Sequence, residues 1–166
     1  WLDNERVIRT MPNTPALIGK GMTGLFARAA VTEADRRHAE RIVSGMGRFL
    51  WLENEGQLDA VTAISGSGPA YMFYFMEAMT IAGTEMGLSR EQAHQLAVAT
   101  FAGASELARA SSESPQVLRQ RVTSKGGTTH AAISAMENDD VRALFIDAMY
   151  AARERAKQLA DEFGAE

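Results

Sequence analysis

Cysteine is absent from this 166-residue chain. That excludes a disulfide framework and a cysteine-ligated zinc site, and it suits a cytoplasmic protein without demanding one. Metal-ligand spacing is missing too: His38, His94 and His130 share no pattern that could grip an ion, so no metal is expected. Positive charge is not in excess. The formal net charge is -4, which leaves no electrostatic footprint for nucleic acid. Basic residues such as Arg36-Arg37 and Arg153, Arg155 and Lys157 are interleaved with acids, as on solvated helix faces. No apolar run reaches the roughly 20 residues of a membrane span. The most apolar stretch, Ala70 to Gly87, carries Glu77 and Glu85 and follows Gly68-Pro69. The start of the chain has no signal-peptide pattern, and neither an internal repeat nor a low-complexity tract is evident.

What is present is enough apolar material for a core, 46% of residues, arranged with two different periods. Arg6 to Met11 reads as a short strand ended by Pro12, whose missing N–H cannot serve a central ladder. Met22 to Ala27 follows the Gly19-Lys20-Gly21 turn as a second strand. Thr32, with Glu33 and Asp35 behind it and Ala39, Ile42, Val43 and Met46 on one face, predicts a capped amphipathic helix stopped at Gly45-Met46-Gly47. Phe49 to Leu52 is then a buried strand. Strand, strand, helix, strand is the tail of an α/β domain.

After Glu53-Asn54-Glu55 the period changes, and from Leu58 onward only helical patterns remain. Pro69 suits a first helical turn. Met72, Phe75, Met76, Met79, Ala82 and Met86 recur at three and four residues, while Tyr71, Phe73 and Tyr74 fall on the other faces. A helix apolar nearly all round needs cover on every side, and a partner subunit could supply it. Ser89 with Gln92 forms a capping-box pattern ahead of a helix whose Ala97, Ala99, Ala102, Gly103 and Ala104 would permit close contact. Pro115 opens another helix, a further one runs from Thr128 or Thr129 to Glu137, and the last continues from Asn138-Asp139-Asp140 to about Phe163. The expected class is therefore mainly α: residues 54–166 all helical, preceded in residues 1–53 by the last strands and helix of an α/β domain.

The most informative segment is Val122-Thr123-Ser124-Lys125-Gly126-Gly127-Thr128-Thr129-His130-Ala131-Ala132. Hydroxyl residues flank a glycine pair directly before a helix-like stretch, so main-chain N–H groups and side-chain O–H groups can converge on a small anion. The glycines permit positive φ and close approach of a ligand. Local capping by Thr128, Thr129 or Ser124 is the competing role.

Around that segment Pro115, Leu118, Val122, Thr123, Ser124, Gly126, Gly127, Thr129, Ala132, Ile133, Met136 and Glu137 stand at the spacing of a family signature. Together with Met11-Pro12-Asn13-Thr14-Pro15 and with Asp59-Ala60-Val61-Thr62 running into Ser65-Gly66-Ser67-Gly68-Pro69-Ala70-Tyr71, the chain resembles pyrroline-5-carboxylate reductase. Lys125 departs from the resemblance, standing where many members have proline; it adds a cation beside the expected anion site.

The resemblance implies reduction of the cyclic imine 1-pyrroline-5-carboxylate to proline with NADPH or NADH, the last step of proline biosynthesis, by a homodimer of interlocked helices that could assemble further. On it, Thr129 contacts the imine nitrogen, and Ser124, Gly126, Gly127 and Thr128 hold the substrate carboxylate. Pro12, Asn13 and Thr14 meet the nicotinamide, with Asn13 the main polar contact. Enzymes of this family open with a Gly-rich strand–turn–helix, and no G-x-G-x-x-G stands near the start here; Gly66-Ser67-Gly68 follows too little sequence to close such a unit. The chain also begins Trp1-Leu2-Asp3. It is therefore expected to be a truncated, C-terminal portion of a reductase, a Rossmann-like remnant followed by a helical dimerisation domain, inactive alone. Two alternatives remain: a non-catalytic helical dimerisation module that retains the motif, or a related imine or β-hydroxyacid reductase.

Overall fold

The computed structural model describes residues 5–164, with no account of the side chains of residues 163 and 164. The opening Trp1-Leu2-Asp3 lies outside the described residues. The chain forms two compact units, Trp1–Ala70 with Asp147–Glu166, and Tyr71–Ile146.

In the first unit, strand β1 (Ile8–Met11) leads through a 3-10 turn at Thr14–Ile18 to β2 (Gly21–Ala27), helix α1 (Glu33–Ser44), β3 (Gly47–Trp51) and a short α2 (Gln57–Val61). The sheet order is β1-β2-β3. β1 runs antiparallel to β2, with Ile8 opposite Ala27 and Met11 opposite Gly24. β2 and β3 are parallel, from Gly21 beside Gly47 to Leu25 beside Trp51.

Local chemistry sets these bounds. Pro12 follows the last residue of β1, and Pro15 sits in the first positions of the 3-10 turn. Thr32 caps α1: its side chain accepts from the Asp35 N–H, and the Asp35 carboxylate accepts from the Thr32 N–H in return. β3 starts two residues earlier than the hydrophobic run suggests. Gly47, at φ 141, lies so close to the Gly21 backbone that any Cβ would collide with it, so the strands can begin side by side only at this glycine. Leu25, Thr23, Val43, Leu58 and Ala63 form the buried interior of this unit.

The second unit holds most of α3 (Gly68–Glu85), α4 (Arg90–Ala110), α5 (Pro115–Arg121), α6 (Thr128–Asn138) and the start of α7 (Val141–Gly164). Ser89 and Gln92 form the expected reciprocal cap of α4. α3 and α4 approach closely at Gly83, where an added Cβ would lie 2.8 Å from that of Ala93. Phe145 packs edge-on between Tyr71 and Phe75, at centroid distances of 5.6 and 5.5 Å. The small residues of α4 divide differently from the sequence expectation: Ala93 and Ala97 are buried, whereas Ala99, Ala102, Gly103 and Ala104 are exposed.

Candidate active site

The glycine segment is the hairpin between α5 and α6, and its shape follows from a few bonds. As α5 ends, the Val122 and Thr123 amides donate to the carbonyls of Arg119 and Gln120 at 3.3 and 3.1 Å, and the Thr123 hydroxyl donates to the Arg119 carbonyl at 2.6 Å. A four-residue turn follows, closed by the Gly127 N–H donating to the Ser124 carbonyl at 3.0 Å. Gly126 takes φ 75 at the third position, where a type II turn demands glycine; the second position, favourable to proline, holds Lys125.

Helix α6 starts at Thr128 with extended Gly127 as N-cap and no side-chain cap. Its first main-chain bond is from the Ala131 N–H to the Gly127 carbonyl, at 3.1 Å. The amides of Thr128, Thr129 and His130 therefore meet no acceptor among the described residues, and they point out of the positive end of the helix. The Ser124 hydroxyl stands over the same end: a Cβ on Gly127 would lie 2.6 Å from its Oγ. Ser124, Lys125, Gly126, Thr128 and His130 are exposed, and Gly127 and Thr129 half-buried.

This geometry refines the sequence reading atom by atom. The Gly127 amide is consumed inside the turn; of the other amides expected, Gly126 and Thr128 stay without an acceptor among the described residues, and Thr129 and His130 join them at the start of α6. Neither Thr128 nor Thr129 caps the helix. The Thr129 hydroxyl makes no hydrogen bond among the described residues, and the cradle as a whole can accept a carboxylate or phosphate.

Pro12, Asn13 and Thr14 follow the carboxyl end of β1, the place where α/β sheets receive ligands. Pro12 and Thr14 are exposed. Half-buried Asn13 is engaged on both sides: its Oδ1 accepts from the Met22 N–H at 2.9 Å, and its Nδ2 donates to the Ser65 hydroxyl at 3.2 Å. Asn13 thus fixes the shape of this loop. Ser65 belongs to a π-helical turn, Thr62–Gly66, of a kind frequent at functional sites. The adjoining Gly66 gives room to Met11, whose Cε would be 2.5 Å from an added Cβ. No local sequence pattern reveals this pairing of Ser65 with a partner 52 residues away.

A cavity of about 580 Å³ along α3 and α4, lined by Phe73, Met76, Glu77, Ile81, Arg90 and His94, contains none of these residues. Among the described residues, no group of three His, Asp or Glu side chains could hold a metal ion. No helix among them is long and apolar enough to cross a membrane.

A family model described as pyrroline-5-carboxylate reductase dimerisation matches residues 55–159. The pyrroline-5-carboxylate reductase of Pseudomonas aeruginosa is 48% identical over 165 residues, covering 99% of this chain and 60% of that protein. A solved pyrroline-5-carboxylate reductase from Coxiella burnetii superposes with a TM-score of 0.89 at 44% identity, over 93% of this chain and 57% of that one. Pyrroline carboxylate reductase from Plasmodium falciparum, solved with NADP bound, gives 0.87 at 32% identity, over 92% and 60% respectively. The chain thus spans about 60% of the length of the curated relatives it matches. With the α5–α6 hairpin, the capped helices and the family model in agreement, the chain belongs to the pyrroline-5-carboxylate reductase dimerisation family.

Proposed function

We propose that residues 54–166 are the substrate-binding and subunit-joining part of a reductase that converts 1-pyrroline-5-carboxylate to proline, and that residues 1–53 are the last part of its dinucleotide-binding domain. The observation that carries this reading is the uncapped, solvent-open start of α6, where three amides and the Ser124 hydroxyl converge inside the family's own motif. The amides of Thr128, Thr129 and His130 with Ser124 Oγ hold the substrate carboxylate, and the Gly126-Gly127 bend lets it come close. Lys125, exposed on the same turn, adds positive charge. Thr129, unused as a cap, hydrogen-bonds the ring nitrogen and passes it a proton from water as the C=N bond is reduced.

The partner in hydride transfer is NADPH or NADH, which supplies the hydride to the imine carbon. Pro12 and Thr14, exposed on a loop that Asn13 pins to β2 and Ser65, fit the flat ring of a nicotinamide. The motif that would grip the cofactor phosphates is not among these 166 residues, so we place it in the portion that the relatives have in addition. Two copies joined through the exposed helical faces complete the assembly, in a cytoplasmic setting.

The test extends this chain with the part of the Pseudomonas aeruginosa relative that it does not match. The extended chain should reduce 1-pyrroline-5-carboxylate, and Thr129→Ala should lower kcat by about 100-fold with a smaller change in KM. Turnover unaffected by Thr129→Ala would leave the chain a helical dimerisation module that merely carries the motif.

A further inference from the structure

We propose that Arg119, Glu137 and Arg142 form a strut that sets the α5–α6 hairpin, making Arg119 and Glu137 positioning residues for the carboxylate cradle. Arg119 Nη1 donates to Glu137 Oε1 at 3.0 Å, joining the last turn of α5 to the last turn of α6 across 18 residues of sequence. Arg142 Nη2, at the start of α7, reaches the same oxygen at 3.3 Å. All three side chains lie in the same compact unit.

Glu137 is badly placed for helix stability. It is the penultimate residue of α6, where the negative end of the helix disfavours a carboxylate. Two guanidinium groups from different helices converge on it and offset that repulsion. A carboxylate kept there is explained by what it ties together.

Arg119 also governs the near end of the hairpin. Its carbonyl accepts from the Val122 amide and the Thr123 hydroxyl, the groups that turn the chain into the Ser124–Gly127 bend. One residue therefore holds the start of the loop through its main chain and the far end of α6 through its side chain. Thr129 and Glu137 are eight residues apart, roughly 12 Å along the helix. Sideways freedom at Glu137 becomes tilt of α6 and movement of the Thr128, Thr129 and His130 amides relative to Ser124. Binding that needs several donors on one carboxylate is sensitive to such movement.

The strut rests on exposed side chains, so its effect is modest: a pair of this kind is worth up to about fivefold in an equilibrium constant and weakens with salt. That distinguishes positioning from folding, because neither partner is needed to keep the helices formed.

The experiment uses the 166-residue chain, with L-proline as probe and amide NMR as readout. Without ligand, Glu137→Gln should speed solvent exchange of the Gly127 amide, the one that closes the turn, about threefold, while α4 amides stay as they are. With L-proline, Arg119→Gln and Glu137→Gln should each weaken binding at the Thr128–His130 amides about fivefold. The double variant should be no weaker than Glu137→Gln alone, because that change already removes the acceptor both arginines share. Unchanged Gly127 exchange in Glu137→Gln, or single losses that simply add in the double variant, overturns the strut. Because the proline arm rests on the proposed function, the two readings separate cleanly. Failure of the unaltered chain to bind proline counts against the carboxylate site, and the exchange rate of Gly127 still decides the strut.

Discussion

Residues 21–63 bury Leu25 completely and leave Val43, Leu58 and Ala63 at most 5% exposed, around a sheet whose strands are fixed in register. Between Tyr71 and Ile146 the only buried residues are Gly83, Ala93 and Ala97. There Phe73, Tyr74, Met86 and Leu144 are 65%, 70%, 78% and 63% exposed. The contrast is physical as well as descriptive. A large apolar side chain gains about 1.5–3 kcal/mol when fully buried, and in the sheet region that gain is realised within the unit. In the helical region it is still outstanding. The helices there are secured by caps and small-residue contacts, while large apolar side chains stay open to solvent. Cover by a second copy is what the proposed assembly supplies.

The two regions should therefore fail differently when damaged. Leu25→Ala empties a fully buried site, at a cost of about 3 kcal/mol. Its loss of stability should be the same at high and low protein concentration in denaturant titrations, because the core it damages lies within one unit. Phe73→Asp should cost about 2 kcal/mol, and only through association. Sedimentation should show the dissociation constant rising by about thirtyfold, with helix content retained at high concentration. A concentration-dependent Leu25→Ala, or a Phe73→Asp that leaves association untouched, would erase the contrast.

Caps offer a finer comparison, since the same device occurs in both regions. Thr32→Ala and Ser89→Ala each remove a side-chain acceptor from a reciprocal cap and should each cost about 1 kcal/mol. The first should appear as a lower unfolding midpoint at any concentration. The second, in a helix whose Leu96 is 55% exposed, should appear as weaker association together with a lower midpoint.

Much of this was legible before any coordinates. The strands, the helices, the Thr32 cap and the Ser89–Gln92 box follow from short-range rules, and the structure reproduces them within a few residues: α6 begins at the threonine pair and α7 starts directly after Asp140. The helical class followed from the change of period after Asn54. Three features were not legible. The 3-10 turn at Thr14–Ile18 looks in sequence like any turn containing proline. The π turn at Thr62–Gly66 ends in an i to i+5 bond from the Ser67 amide to the Thr62 carbonyl at 2.8 Å, and no residue type announces it. The commitment of Asn13 to Met22 and Ser65 is tertiary, so composition could identify a polar group there but not what it holds. At the candidate site the motif gave the residues, and only the turn geometry showed which amides remain open.

The smallest effect concerns protons, and it too belongs to one region. Arg6, ahead of β1, forms an ion pair with Asp35 in the first turn of α1, and the Thr32 hydroxyl and amide bond the same carboxylate. The Arg6 guanidinium first, then Thr32, hold the Asp35 carboxyl well below the ordinary aspartate value of 3.8. A folded-state value lower than the unfolded one means that the unfolded chain takes up the proton first as pH drops. The contribution of Asp35 is accordingly complete above the ordinary value and fades as pH falls through and below it towards the lowered one. Arg6 is exposed and Asp35 half-buried, so solvent reaches the pair and screening by salt keeps the effect small. Thermal midpoints measured from pH 6 to pH 3 should decline less steeply in Asp35→Asn than in the unaltered chain, and 1 M salt should narrow the difference. Equal slopes would mean that the pair is broken in solution and that Thr32 alone secures the start of α1.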